Sequence, residues 1–206
     1  MEKTLSMKDN RKTPCLKLGI SACLLGKMVR YDGGHKRNRF LCDMLGLYVK
    51  YIPVCPEVEC GLPVPREPMR LVGTPEAPRL LTINTRIDRT HRIVRWAEKR
   101  VRELEHENLC GFVFKSKSPS CGMEKVMIHT EKGTRVAGTG SGLFAAFFHK
   151  AFPHVPIEEE HRFENPRVKR RFIERISKSN YNNGPMPECE TLFLEAKASF
   201  FTPPDD

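Results

Sequence analysis

Short apolar runs alternate with helical patterns along most of the chain, and this alternation constrains the fold more than any other feature. The runs Leu16–Ser21, Tyr51–Val54 and Cys110–Phe114 are each short enough to be a buried strand. Apolar residues at helical spacing separate them, first in Lys36–Lys50 and then behind Thr85. Because strands that alternate with helices are typical of α/β proteins, the sequence predicts a Rossmann-like α/β fold with a mainly parallel sheet and flanking helices.

The most regular helical pattern lies in the middle of the chain. Thr85 and Asp88 have the spacing of a helix start signal, and the pattern behind them continues to Asn108. Its predicted apolar face consists of Ile87, Val94, Ala97, Val101 and Leu104.

Pro53 cannot donate a backbone hydrogen bond, so the predicted strand Tyr51–Val54 is expected to be short or to lie at a sheet edge.

Two further elements are expected toward the end of the alternation. Val126–Ile128 is predicted to be a strand, and Leu143–Ala151 an apolar helix. The glycine-rich run Gly138–Gly142 opens that helix. Two interpretations of the run remain open, namely a tight turn and a cradle for a substrate phosphate.

The eight cysteines include no pair with the CxxC spacing of zinc knuckles or thioredoxin-type sites. Three of them, Cys23, Cys55 and Cys121, follow predicted strands. Because parallel strands end at one edge of a sheet, these three are expected to converge there. They are either a metal centre of three thiolates with one position left for substrate, or three small buried core residues.

The net charge of +10 is concentrated near the carboxyl end of the chain. Residues 161–180 contain seven basic and two acidic side chains, which is half of the net charge. Such a segment is typical of a protein that binds a polyanion such as nucleic acid, and equally of a solvated helix face. No apolar run approaches the roughly 18 residues of a membrane span, and residues 1–13 lack the apolar core of a signal peptide. A cytoplasmic protein is therefore expected.

Three motifs, in this order, resemble the thiouracil desulfidase (TudS) family. They are Ser21–Gly26 with Val29–Asn38, then Val54–Leu62 with Val64–Glu67, and finally Lys115–Gly122. The resemblance covers about residues 16–152. It implies an enzyme that replaces the thiocarbonyl sulfur of a thiolated pyrimidine by oxygen and releases sulfide, without net electron transfer.

The resemblance also implies a cofactor and a set of site residues. The cofactor is a 4Fe-4S cluster with three cysteine ligands, Cys23, Cys55 and Cys121, and one open iron that binds the substrate sulfur. Cys60, which lies within the second motif, is expected not to be a ligand. The cysteines outside the motifs are expected to be packing or surface residues, and they are Cys15, Cys42, Cys110 and Cys189.

Glu57 is expected to move protons, and Ser116 to hydrogen-bond the heterocycle or the attacking water. Ser118 and Ser120 are the further candidates for substrate binding. Each assignment has a structural alternative. Glu57, with Glu59 and Glu67 nearby, alternatively caps the turn that follows it, and the serine-rich loop is alternatively only a turn.

The carboxyl end resembles the junction in longer relatives, the RudS-type desulfidases that act on 4-thiouridine in tRNA. The predicted divisions are a flexible N-terminus at 1–13, a TudS-like desulfidase domain at 14–157, and a basic linker with the truncated start of a second domain at 158–206. The substrate stays open among free thiouracil, thiouridine monophosphate and tRNA, the last bound through residues 161–180. A different class of function is a non-catalytic metal- or RNA-binding module that uses the basic tail.

Overall fold

The computed structural model describes residues 16–132 and 136–179. The predicted flexible N-terminus and the tail from residue 180 onward, with Cys15 and Cys189, lie outside the described residues. The described strands are β1 Leu16–Ser21, β2 Val49–Val54, β3 Met69–Gly73, β4 Pro78–Thr82, β5 Leu109–Phe114, β6 Val126–His129, β7 Val136–Gly140 and β8 Ile157–Glu159. The described α-helices are α1 Pro56–Glu59, α2 Thr90–Glu105, α3 Leu143–Ala151 and α4 Pro166–Lys178.

Sheet A, in the order β2-β1-β5-β8, consists of parallel strands only. This confirms the predicted α/β class and the three strands predicted from the apolar runs. β2 is an edge strand, as the missing N–H of Pro53 favours. The sequence pattern does not predict β8, because this strand has only three residues and two of them are glutamates.

Apolar side chains cover both faces of sheet A. Phe112 and Val113 are neighbours on β5 but belong to different core clusters, which places those clusters on opposite faces. One cluster contains most of the buried residues of α3 and α2, and its aromatic rings include Phe112, Phe114, Phe144, Phe148 and Trp96. The other cluster joins β1 to α4.

Sheet B is a second, mixed sheet in the order β4-β3-β6-β7. Its central strands β3 and β6 are parallel, and both outer strands pair antiparallel to them. It packs against Ile93 of α2 and Leu143 of α3. Of its four strands, the sequence predicts only β6. The predicted turn at Gly138–Gly142 is wrong in part, since Gly138 and Gly140 belong to β7.

Helix α2 begins later than the predicted start at Thr85. Arg86 has a φ of 57°, in the left-handed region, which interrupts a right-handed helix at that point. The Thr85 hydroxyl instead donates to Glu67 Oε2 at 2.6 Å, within the preceding turn. The buried face of α2 consists of Ile93, Ala97, Val101 and Leu104. The predicted face is therefore wrong at Ile87, which precedes the helix, and at Val94, which is only half-buried.

Two tight turns replace the helix predicted at Lys36–Lys50. Phe40–Met44 forms a π-helical turn and Leu45–Leu47 a 3-10 turn. The helix cannot extend further because Val49 already pairs with Leu16 as the first residue of β2. Apolar residues of the pattern nevertheless belong to the core, since Leu41 and Leu45 are fully buried.

The basic segment forms helix α4, which packs onto sheet A. Asn165 Oδ1 accepts the N–H of Arg167 at 2.9 Å and so caps the helix, and Pro166 occupies its first turn. The buried face consists of Phe172, Ile173 and Ile176, and the exposed face carries Arg167, Arg170, Arg171, Arg175 and Lys178. Across residues 16–132 and 136–179, no helix has the length and apolar character needed to cross a bilayer.

Close packing at β5 makes α4 part of the core. A Cβ atom at Gly111 would lie 2.7 Å from Ile176 Cγ2, so only glycine admits the helix at this distance.

Ile173 is fully buried in the same core cluster as Ile176. The substitution Ile173→Ala is therefore expected to lower the free energy of unfolding by about 2–5 kcal/mol.

The matched control for this substitution is Arg171→Ala on the exposed face of α4, with an expected change below about 0.5 kcal/mol. Urea unfolding followed by circular dichroism measures both variants. An equally small change for both would show that α4 contributes nothing to the stability of the core.

Candidate functional site

All four strands of sheet A end at one edge, and a polar or cysteine side chain follows each of them. Cys23 lies in the turn after β1, Cys55 follows β2, Ser116 lies in the segment after β5, and Glu160 follows β8. The first three segments, together with the loop that carries Cys121, line a cavity of about 400 Å³. Ligands of open parallel sheets bind at this edge.

Cys23, Cys55 and Cys121 all line the cavity as free thiols. Burial, and after it the neighbouring Cys55 thiol, raises the pKa of Cys23 to about 11. Burial also raises the pKa of Cys121 well above its usual value, with further contributions from Cys55 and Cys23. The three thiols are therefore close enough to affect one another's ionisation.

The three thiols fit an iron–sulfur cluster better than a single metal ion. In the described part of the chain, no three His, Cys, Asp or Glu side chains meet closely enough to hold a single metal ion. An iron–sulfur cluster is different, because each cysteine binds a separate iron atom and the ligands surround the group. The donor set is therefore compatible with a cluster of several irons and does not fit a single ion.

Helix α1 holds Cys55 at the end of β2. Pro56 occupies its first position, where a backbone N–H would have no helical partner. Glu59 Oε1 accepts the N–H of Cys55 at 2.7 Å, and Arg100 Nε lies 3.3 Å from the other oxygen of Glu59. Glu59 therefore caps the start of α1.

The Glu57 carboxylate lines the cavity and is fixed from two sides. Arg66 Nε donates to Glu57 Oε2 at 2.7 Å, and Arg66 Nη2 donates to the carbonyl of Val29 at 2.9 Å. Ser120 Oγ donates to Glu57 Oε1 at 2.8 Å. Ser120 is fully buried behind the carboxylate, so its contact orients Glu57. A carboxylate held in this way keeps lone pairs for a ligand in the cavity.

Ser118 both lines the cavity and closes the loop of Cys121. Its Oγ accepts the N–H of Cys121 at 3.1 Å, and its carbonyl accepts the N–H of Gly122 at 2.8 Å. The turn interpretation and the binding interpretation of the serine-rich loop are therefore compatible at this residue.

The amide groups at the start of α3 bind the same loop. Leu143 N–H donates to the carbonyl of Pro119 at 3.1 Å, and Phe144 N–H to that of Ser120 at 3.0 Å. A Cβ atom at Gly142 would lie 2.6 Å from the carbonyl carbon of Ser120. Close packing explains the glycine here, and the phosphate-cradle interpretation is wrong because these amides already have partners.

Glu160 is a site residue that sequence reasoning misses. Its Oε1 accepts from Ser116 Oγ at 2.8 Å, its Oε2 accepts the N–H of Ser116 at 2.7 Å, and Lys115 forms an ion pair with it. Lys115 and Ser116 line the cavity, and Glu160 lies behind them. Its position directly after a parallel strand was the available signal, but β8 itself has no recognisable pattern.

The other described cysteines make packing contacts. Cys60 Sγ lies 3.2 Å from the carbonyl of Glu57, and Cys42 Sγ lies 3.4 Å from that of Leu24. Cys110 is buried on β5, where burial raises the pKa of its thiol to about 12.

Cationic and aromatic side chains complete the cavity wall. Arg30, Tyr31, Lys36 and Lys117 all line it. The Arg30 guanidinium lies 5.3 Å from the centroid of the Tyr31 ring, and the ring is partly exposed. Side chains of these types bind anionic groups and aromatic rings.

The fold and site together define an α/β protein in which one sheet edge presents three cysteines and a fixed carboxylate to a cavity. The model of the 2-thiouracil desulfurase family matches residues 18–160, and the chain belongs to this family. The resemblance drawn from the three motifs is thereby confirmed.

Two individual proteins are also similar to this chain. The uncharacterised protein YbbK of Bacillus subtilis (strain 168) is 30% identical over 147 residues, which are 68% of this chain and 95% of YbbK. Among solved structures, the 4Fe-4S-dependent thiouracil desulfidase TudS is similar with a TM-score of 0.57 and 28% identity. That similarity covers 72% of this chain and 93% of TudS.

The substitution Arg66→Met would leave the Glu57 carboxylate buried without its ionic partner, since only 6% of the Arg66 side chain and 13% of that of Glu57 is exposed. The free energy of unfolding is expected to fall by about 3–5 kcal/mol. The double variant Arg66→Met, Glu57→Gln also removes the buried charge and is expected to recover most of this loss. Guanidinium unfolding of iron-free protein measures the stability of both variants. If the single and the double variant were equally stable, the role of the ion pair would be contradicted.

Proposed function

We propose that this chain is an iron–sulfur-dependent desulfidase that replaces the thiocarbonyl sulfur of thiouracil or 4-thiouridine by oxygen and releases sulfide. The observation that carries the proposal is the convergence of Cys23, Cys55 and Cys121 on a cavity whose wall also contains Glu57. Family membership supports the class of reaction. Similarity to TudS, a 4Fe-4S-dependent thiouracil desulfidase, supports the cofactor.

The three cysteines are the proposed ligands of a 4Fe-4S cluster. Such a cluster, when bound, supplies a thiophilic Lewis acid for the substrate sulfur at the iron without a protein ligand. Burial raises the pKa of Cys23 and Cys121, so these thiols carry protons before the cluster binds. Because ligation requires thiolates, binding of the cluster releases those protons.

The overall reaction exchanges a C=S bond for a C=O bond. Water supplies the oxygen, sulfur leaves as sulfide, and the two protons of the water leave with the sulfide or to solvent. Glu57 is assigned to accept a proton from the attacking water and to deliver it to the leaving sulfur, because Arg66 and Ser120 hold its carboxylate at the cavity wall. No electrons are gained or lost overall, so the reaction needs no redox partner.

The three serines have two different proposed roles. Ser118 and Ser116 line the cavity and are assigned to the heterocycle. Ser118 Oγ accepts backbone N–H groups from Ser120 and Cys121, which leaves its hydroxyl hydrogen to donate to a carbonyl of the substrate. Ser120 acts on the substrate through Glu57.

A thiouridine within tRNA is the proposed larger substrate, and the exposed face of α4 supports it. In the described part of the chain, Arg171, Arg175 and Lys178 form no ion pair, so their charge is available to an RNA backbone. The same face is the observation that favours the second candidate function, a non-catalytic RNA-binding module.

Replacement of the proposed ligands tests the cofactor and the reaction together. Cys23→Ala, Cys55→Ala and Cys121→Ala are each expected to lose iron and desulfuration of 4-thiouracil, whereas Cys60→Ala, in the same motif but outside the cavity wall, retains both. Glu57→Gln is expected to retain iron and to lower kcat by about 10²–10⁴-fold, as for loss of a general acid–base group.

Iron and sulfide analysis of anaerobically reconstituted protein, with the loss of thiocarbonyl absorbance, measures these effects. Wild-type protein that binds no iron after reconstitution, or full activity in the three cysteine variants, would contradict the proposal. RNA binding without turnover of any thiopyrimidine by iron-replete protein would favour the binding module.

The tRNA proposal is tested by charge removal on α4. Substitution of Arg171, Arg175 and Lys178 by Gln is expected to lower kcat/KM for thiolated tRNA at least about 10-fold more than kcat/KM for 4-thiouracil, because about three phosphate contacts are lost. The salt dependence of tRNA turnover is expected to weaken as well. Equal effects on both substrates would exclude a tRNA-binding role for this face.

A further inference from the structure

We propose that Ser116, held by Glu160, selects substrates that carry a hydrogen on the ring nitrogen next to the thiocarbonyl. This inference rests on the proposed desulfidase function and adds a residue that determines specificity. Ser116 is the recognition group, and Glu160 is a positioning residue that acts through it.

The hydrogen bonds of Ser116 determine which kind of group it can bind. A hydroxyl has one hydrogen to donate and two lone pairs that accept. Ser116 Oγ donates its hydrogen to Glu160 Oε1 at 2.8 Å, and Lys115 Nζ donates to Ser116 Oγ at 3.1 Å. One lone pair remains, so Ser116 meets a ligand in the cavity as an acceptor.

The strand pairing of sheet A holds Glu160 beside Ser116, and so fixes the serine as a donor to Glu160 and an acceptor toward the cavity. Phe114 of β5 pairs with Glu159 of β8, and the residues that follow these two strands meet directly beyond that pair. Glu160 Oε2 also accepts the N–H of Ser116 at 2.7 Å, so one carboxylate holds both the backbone and the hydroxyl of the serine. The ion pair with Lys115 stabilises the carboxylate, whose side chain is only 12% exposed.

The proposed substrates offer one matching donor in common. In thiouracil and in 4-thiouridine, N3–H lies beside the thiocarbonyl, between C2 and C4 of the ring. It remains when N1 carries a ribose, so the same contact serves the free base, the nucleotide and tRNA. A methyl group on N3 removes the donor and leaves the lone pair of Ser116 without a partner, which buried sites penalise strongly.

Turnover of 4-thiouridine and of 3-methyl-4-thiouridine by iron-replete protein tests the inference. For wild type, the methylated substrate is expected to have a kcat/KM at least about 30-fold lower. Ser116→Ala is expected to lower kcat/KM for 4-thiouridine but not for the methylated compound, so that the ratio between the two falls below about threefold.

Glu160→Gln keeps the size of the side chain but presents an N–H₂ group where an acceptor is required, and it is expected to reduce the ratio as well. Glu158→Gln is the matched control, because Glu158 lies on β8 two residues before Glu160, has a side chain of similar burial (10% against 12% exposed) and pairs with Arg162 instead of Ser116. Its ratio is expected to equal that of wild type. Dissociation constants for uridine and 3-methyluridine give the same comparison without turnover.

The outcomes separate the inference from the function on which it rests. Equal turnover of both substrates by wild type, or discrimination that persists in Ser116→Ala, would overturn the inference and leave the desulfidase function standing. If iron-replete wild type converted neither substrate nor 4-thiouracil, the proposed function and the inference would both be overturned. Loss of discrimination in Glu158→Gln would show that Glu160 has no specific role.

Discussion

The parallel register of sheet A is the constraint on which the candidate site depends. Ser21 pairs with Val54, and Phe114 pairs with Glu159, so the strands end nearly level with one another. The segments that follow these ends therefore meet around one cavity, although they are far apart in the sequence. A shift of two residues in one pairing would move a loop by about 7 Å, which is too far for a shared ligand.

Two sets of side chains stabilise buried carboxylates beside the cavity, and each set contains a cation and a serine. They are Glu57 with Arg66 and Ser120, and Glu160 with Lys115 and Ser116. The cations and hydroxyl groups replace the water that burial removes. In the first set the carboxylate faces the cavity, and in the second the serine does. The same residue types thus present a carboxylate to the cavity in one set and a hydroxyl group in the other.

Local patterns account for the part of this molecule that sequence can predict. β1, β5 and α3 each carry their own apolar pattern, and Cys23, Cys55 and Glu57 stand in long motifs. β4 and β7 contain proline or glycine and form through pairing with their neighbours, which no local pattern records. The contact between Ser116 and Glu160 joins residues 44 positions apart and depends on β8, so it becomes visible only in the folded chain.

Mössbauer spectroscopy of the protein reconstituted with ⁵⁷Fe tests most directly whether three cysteines hold a cluster that is open to substrate. Ligation by three cysteines predicts four irons per chain, one of them with a spectrum distinct from the other three, and a change confined to that iron when 2-thiouracil is added. A single-iron spectrum, or four irons that do not respond to 2-thiouracil, would contradict it.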